Sequence, residues 1–259
     1  MTNESLRIKL LQASVDADVE SHFRLLINDK TVKYLTIDAG LFDTSDMCFE
    51  PSLIDLLPPF PPGDWKTGRI SRNPATGKAH FASVSEAPLP GITKTWHSIR
   101  IDHLELDKPR KLRSNVYEAA CSRLGATVVA KFARFSWEIP QVEAETVAYE
   151  WIEGRQIGPA FLGHLTEEGR VIGFLIAQVT DYHHATPDDF ALCDLALLRL
   201  HKLGIKHGDI NKHNFLVQGG EKAVLIDFDV ASRPLGVDEL EDESRELMNR
   251  LRDTSGRGG

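Results

Sequence analysis

The stretch HGDINKHNFLVQGGEKAVLIDFD, residues 207–229, spaces an aspartate, an asparagine and a second aspartate along a short run. Asp209 falls on a loop, where a carboxylate can take the proton of an acceptor hydroxyl. Asn214, five residues on, offers an amide oxygen to a metal ion, and Asp227 ends an apolar run, where its carboxylate can hold metal across phosphates. A carboxylate for a hydroxyl and oxygen ligands for a divalent cation are what phosphoryl transfer asks of a protein, because its catalysis is mostly the placing of charge.

The surrounding pattern supplies elements to carry these groups. Thr186 is placed to cap a helix whose first turn holds Pro187, Asp188 and Asp189, with Leu192, Leu195 and Leu198 as its apolar positions and Gly204 as its stop. That helix delivers the chain to His207. NFLVQGGEKAVLIDF predicts a hairpin turning at Gly219 and Gly220. Further upstream, WHSIRIDHLEL, SNVYEAACS and ATVVAKFARF read as three consecutive strands of a small antiparallel sheet, and PQVEAETVAYEWIEG as one helix with Val142, Thr146, Tyr149 and Ile152 along a face. VIGFLIAQV is a buried strand, and GVDELEDESRELMNRLRD a helix with carboxylates early and arginines late. Before residue 90, LRIKLL and KYLTID suggest strands, VESHFRLLI a helix, and the proline-rich LLPPFPPGDW a break.

HGDINKHN followed by LIDFD resembles the catalytic loop and metal-binding motif of the protein-kinase-like superfamily, which protein kinases spell H-R-D-x-x-x-x-N and D-F-G. The HGD spelling is closer to the aminoglycoside-phosphotransferase-like branch and to small atypical kinases, including short kinase-like proteins of fungi. The resemblance runs over residues 96 to 254 and implies an α+β, two-lobed kinase-like fold with an elaborated N-lobe and a reduced helical C-lobe. Residues 1–95 would be an N-terminal extension packed on the N-lobe, 96–181 the N-lobe and hinge, and 182–259 the C-lobe with a mobile tail. It marks Lys131, in TVVAKFAR, as the cation for nucleotide phosphates and asks for a helix glutamate beside it. Glu143 and Glu145 are both candidates; Glu145 is favoured because it lies four residues before Tyr149. Gln178 opens the hinge segment beside which adenine would lie. ATP, with Mg²⁺ or Mn²⁺ held by Asn214 and Asp227, is the implied cofactor set; Asp209 is the implied catalytic residue, and Asp229 either assists the metal or closes the turn.

Two departures matter. There is no glycine between Gly91 and Gly125, where the family has a Gly-rich loop, and Lys108, Arg110, Lys111 and Arg113 stand there instead, as a solvated turn or a substitute charge. DFD replaces DFG, and thirty residues follow it without an A-P-E signature. The expected function is therefore ATP-dependent transfer to a hydroxyl of a small molecule or an atypical protein substrate; the rival is a pseudokinase that binds or scaffolds without turnover, and the N-terminal region is a candidate surface for a protein partner.

Composition narrows the field. A net charge of −8 gives no general field toward nucleic acid or anionic lipid. Three cysteines without metal-type spacing suit buried thiols in a reducing compartment, and the longest apolar runs are about half the roughly 20 residues needed to span a bilayer. With no secretory pattern at the start, a cytoplasmic or otherwise intracellular protein is expected. GDWKTGR is not a phosphate loop, since Arg69 and Ile70 occupy its last two places. His207 reads as structural, and His183, His184 and His213 as facing solvent or the hinge.

Overall fold

Residues 6–255 are described by the computed structural model and divide after Pro90 into two units. In the first, β1 (Ile8–Ser14), β2 (Ser21–Ile27) and β3 (Thr31–Ile37) form an antiparallel meander. The single turn α1 (Thr44–Met47) and the short α2 (Glu50–Leu56) follow. β4 (Thr67–Arg72) then pairs parallel to β3, and β5 (Ala79–Ser85) closes the order β1-β2-β3-β4-β5. The helix expected over residues 19–27 is a strand. Phe23, Leu25 and Ile27 recur every second residue and enter one core with Leu35, Leu53 and Trp65, so pairing on both edges outweighs a weak helical spacing. The two strands expected here are β1 and β3, and the proline-rich residues 57–66 hold neither helix nor strand.

The second unit opens with β6 (Arg100–Asp102), β7 (Leu106–Arg113), β8 (Val116–Cys121) and β9 (Ala126–Phe132). Helix α3 (Ile139–Ile152), β10 (Phe161–Glu167) and β11 (Arg170–Ala177) follow. These strands make a six-stranded sheet ordered β6-β10-β11-β9-β8-β7, antiparallel except where β6 runs parallel to β10. The expected run of three strands is thus corrected. Asp102 and Glu105 form a capping box that turns the chain into a 3-10 helix and cuts WHSIRIDHLEL down to the three residues of β6 before Leu106 opens β7. The strand that pairs with β8 is instead the basic LDKPRKLR, whose Pro109 is tolerated because β7 is an edge strand with a register shift between Asp107 and Arg110. The Lys108 side chain lies outside what is described, as do residues 256–259 of the tail.

A third sheet joins β12 (Tyr182–His184), β13 (Phe215–Gln218) and β14 (Lys222–Leu225), the last two turning at Gly219 and Gly220, both with positive φ, as the sequence predicts. Helices α4 (Phe190–His201) and α5 (Asp238–Arg252) complete the unit, α4 entered through a 3-10 turn that Thr186 and Asp189 cap. The buried face of α4 is Cys193, Ala196, Leu197 and Leu200; Leu195 and Leu198, two of the apolar positions named from the sequence, are exposed. With several leucines in succession, more than one stripe satisfies helical periodicity, and packing against β14 and α5 selects among them. Cys121 and Cys193 are buried, but Cys48 is exposed, contrary to the expectation for all three. Among the described residues the architecture is α+β, with three sheets and few helices, and no helix is long and apolar enough to cross a membrane.

The close approach of β11 to β9 depends on one residue. A Cβ built on Gly173 would meet the carbonyl oxygen of Lys131 at 2.2 Å. Gly173→Ala must push apart the two strands at the centre of the sheet and is expected to cost about 1–3 kcal/mol, the usual range for overpacking. A fall in the denaturation midpoint checks this; an unchanged midpoint would mean that the sheet widens freely.

Candidate active site

Lys131 leaves β9 and meets two carboxylates. Its Nζ is 2.6 Å from Glu145 Oε2 on α3 and forms a short ion pair with Asp227 Oδ1, beyond the end of β14. Glu145 is buried on the helical face that also buries Val142, Thr146 and Tyr149. Its other oxygen accepts the Phe228 backbone N–H at 3.3 Å. Glu143, the other candidate, faces elsewhere: its Oε1 accepts from the Thr93 amide, the Thr93 hydroxyl and the Lys94 amide. Burial opposes the Lys131 charge, but the two carboxylates outweigh it and hold the ammonium above the ordinary lysine range. Burial pushes the Glu145 carboxyl up to about 7, which Lys131 only partly offsets.

Asp227 has φ of 67°, an uncommon conformation for a non-glycine residue that turns its carboxylate back toward β9. Phe228 behind it is fully buried, its ring 5.4 Å from Tyr149 and 5.1 Å from His207. Burial alone would raise the Asp227 pKa; Lys131 and Arg113 outweigh it, and the group is held below the usual carboxylate range.

The loop carrying Asp209 is fastened from two sides. His207, fully buried, donates through Nε2 to the Ile226 carbonyl at 3.0 Å while Nδ1 accepts the Asp209 amide at 3.4 Å, a pairing that assigns the neutral ring; burial lowers its pKa in agreement. Gly208 adopts φ of 85°, and a Cβ there would lie 2.7 Å from the Val230 carbonyl oxygen. Asn214 donates through Nδ2 to the Asp209 carbonyl at 2.9 Å and to Asp209 Oδ2 at 3.2 Å, and Asn211 Nδ2 donates to that same oxygen at 2.9 Å. The Asn214 carbonyl accepts the Ile226 amide at 3.0 Å, which sets Asn214 beside the residue that precedes Asp227.

Glu243 of α5 is the residue that sequence reading missed. It accepts from the His207 amide at 3.0 Å, the Gly208 amide at 2.7 Å and His201 Nε2 at 2.8 Å. Burial would raise its pKa, but those hydrogen bonds win and lower it. A signal was present: Glu243 shares the buried stripe of α5 with Leu247 and Leu251, an acidic residue at an otherwise apolar spacing of four.

A cavity of about 620 Å³ is lined by Lys131, Glu145, Tyr149, Gln178, Asp227 and Asp229, within the roughly 300–1,000 Å³ range of small-molecule sites. Gln178 is engaged through Nε2 with Glu118, and Asp229 with Gln141 of α3. His184 and His183 are both exposed: His184 lines the cavity, its ring 5.2 Å from that of His213, and His183 is 3.1 Å from Asp189.

Asn214 Oδ1 is buried with no hydrogen-bond partner among the described residues. A buried amide oxygen left unpaired is costly unless something meets it. Together with the Asp227 carboxylate it would offer hard oxygen donors, the kind that suits Mg²⁺, which takes one or two carboxylates and completes its shell with phosphate and water. The residues present therefore fit such an ion.

Residues 192–253, from α4 through α5, match the family described as Lipopolysaccharide kinase (Kdo/WaaP) family. That is a protein-kinase-like family, and the α+β architecture is compatible with a kinase-like fold. The matched segment contains Asp209, Asn214, Asp227 and Glu243, while Lys131 and Glu145 lie upstream of it. It supports a kinase-like phosphotransferase in general terms. No curated protein matches the chain.

Proposed function

We propose that the protein is an ATP-dependent phosphotransferase that passes the γ-phosphoryl group to a hydroxyl, with the nucleotide between two lobes of a kinase-like fold. The observation that carries this reading is the meeting at one cavity of the Lys131–Glu145 pair with Asp227, next to an Asn214 amide oxygen that lacks a partner. Lys131, oriented by Glu145, neutralises the phosphates. Asn214 and Asp227 hold Mg²⁺ or Mn²⁺, which would screen the phosphate charge when bound. Adenine lies along the segment that begins at Gln178, and Asp209, fixed by Asn211 and Asn214, orients the acceptor hydroxyl.

The acceptor is a small molecule or an atypical protein substrate. Asn211 stands two residues after Asp209, where protein kinases carry lysine, and spends its amide on the Asp209 carboxylate. The HGD spelling, nearer the aminoglycoside-phosphotransferase-like branch, and the description of the matched family both favour a non-protein acceptor.

Calorimetry of ATP binding, with and without Mg²⁺, tests the reading on the wild type and Asp227→Asn without any acceptor. Metal-dependent binding in the wild type that disappears in the variant is the expected result. Absence of binding in the wild type would sink the enzyme reading and leave a pseudokinase that acts through partners.

A further inference from the structure

The hairpin of β7 and β8 covers the position of a Gly-rich loop without containing a glycine, so it cannot offer the close backbone amides such a loop uses to cradle phosphates. Its basic side chains are not equivalent. Arg110 also lines the cavity but is committed to Glu118, through Nε at 3.2 Å and Nη2 at 3.0 Å. Lys111 is exposed on the strand. Arg113, at the tip, lines the cavity and sets Nη1 3.9 Å from Asp227 Oδ2.

Asp227 therefore carries a cation on each oxygen: Lys131 on Oδ1 and Arg113 on Oδ2. The Lys131 contact is short and buried, and Glu145 holds it from the other side. The Arg113 contact is long, and its side chain is 42% exposed, so this pair contributes little by itself and does not tie up the guanidinium. We infer that Arg113 is a nucleotide-phosphate ligand whose guanidinium takes the place of the glycine-loop amides. A planar guanidinium can bridge two phosphate oxygens. The inference rests on the proposed ATP site.

Calorimetric titration of the full chain with adenosine, ADP and ATP in Mg²⁺ separates the two readings. For Arg113→Ala, ATP and ADP affinity should fall roughly 10- to 100-fold, the scale of a lost charge-assisted contact, with adenosine affinity unchanged. Lys111→Ala, which removes the same charge from the same hairpin, should change ATP affinity by less than about twofold. ATP binding by Arg113→Ala equal to wild type would overturn the inference while leaving the ATP site intact. Equal losses for adenosine and ATP, or an equal loss in Lys111→Ala, would also overturn it, by exposing a structural or long-range effect. A wild type that binds none of the three overturns the site and the inference together.

Discussion

Lys131→Met is expected to abolish the phosphate contribution to nucleotide binding and to cost about 3–5 kcal/mol of stability near neutral pH, the range for removing one partner of a buried ion pair. Methionine fills the space, so the loss is electrostatic. Glu145 keeps the Phe228 amide but no cation, and Asp227 keeps only the distant Arg113. The pH dependence gives a sharper test. In the wild type the Glu145 pKa of about 7 stands above its ordinary 4.5, so its contribution is fully present below pH 4.5 and lost as pH rises through about 7. Lys131 is what restrains that pKa, so without it the native value climbs further and the loss deepens on the alkaline side. His207, whose pKa is lowered, acts in the opposite sense but equally in both proteins. The stability gap between wild type and Lys131→Met should therefore widen from about pH 5 to about pH 8 in denaturant titrations. A gap that narrows would mean that another cation serves Glu145.

That pair also shows what could be read in advance. Asp209, Asn214 and Asp227 lie within one loop and hairpin, so their relative placement follows from local turn chemistry, and Gly219–Gly220 announces the turn. Lys131 and Glu145 each sit on an element with clear periodicity, and the spacing of Glu145 from Tyr149 sets it on the buried face. Nothing local says that Lys131 reaches Asp227, 96 residues away. The same limit hid β7, because Pro109 and a basic run look like a loop until an edge position and a bulge accommodate them. It hid β10, whose FLGHLTE gives way to a turn at Glu168 and Gly169 and becomes a strand through pairing with β6 and β11. The Arg113 contact is of this kind too, since a charge run says nothing about which member folds inward. Side chains whose partners are distant in sequence became visible only with the tertiary arrangement.

Glu243 is the strongest instance, and its removal carries the second large effect. The carboxylate takes three donors from two segments: the His207 and Gly208 amides of the loop, and His201 at the end of α4. Glu243→Ala leaves the buried His207 amide without an acceptor and takes the partner from the part-buried Gly208 amide and His201 Nε2, at about 1–3 kcal/mol for each donor that water cannot reach. A loss of about 3–5 kcal/mol is expected, a large fraction of the 5–15 kcal/mol of a typical domain. Glu243→Gln should recover only part, because Oε2 serves His201 and His207 while Oε1 serves Gly208, and an amide nitrogen in either place would confront an N–H. The folded Glu243 pKa is lowered, so its contribution is present above about pH 4.5 and lost as pH falls through the folded value; the wild-type advantage should shrink in acid. Amide exchange distinguishes a local role from general weakening, since His207 and Gly208 should lose protection in Glu243→Ala well beyond the change at the β10–β11 amides. Uniform loss of protection across the second unit would mean that Glu243 supports the core at large rather than the loop that carries Asp209.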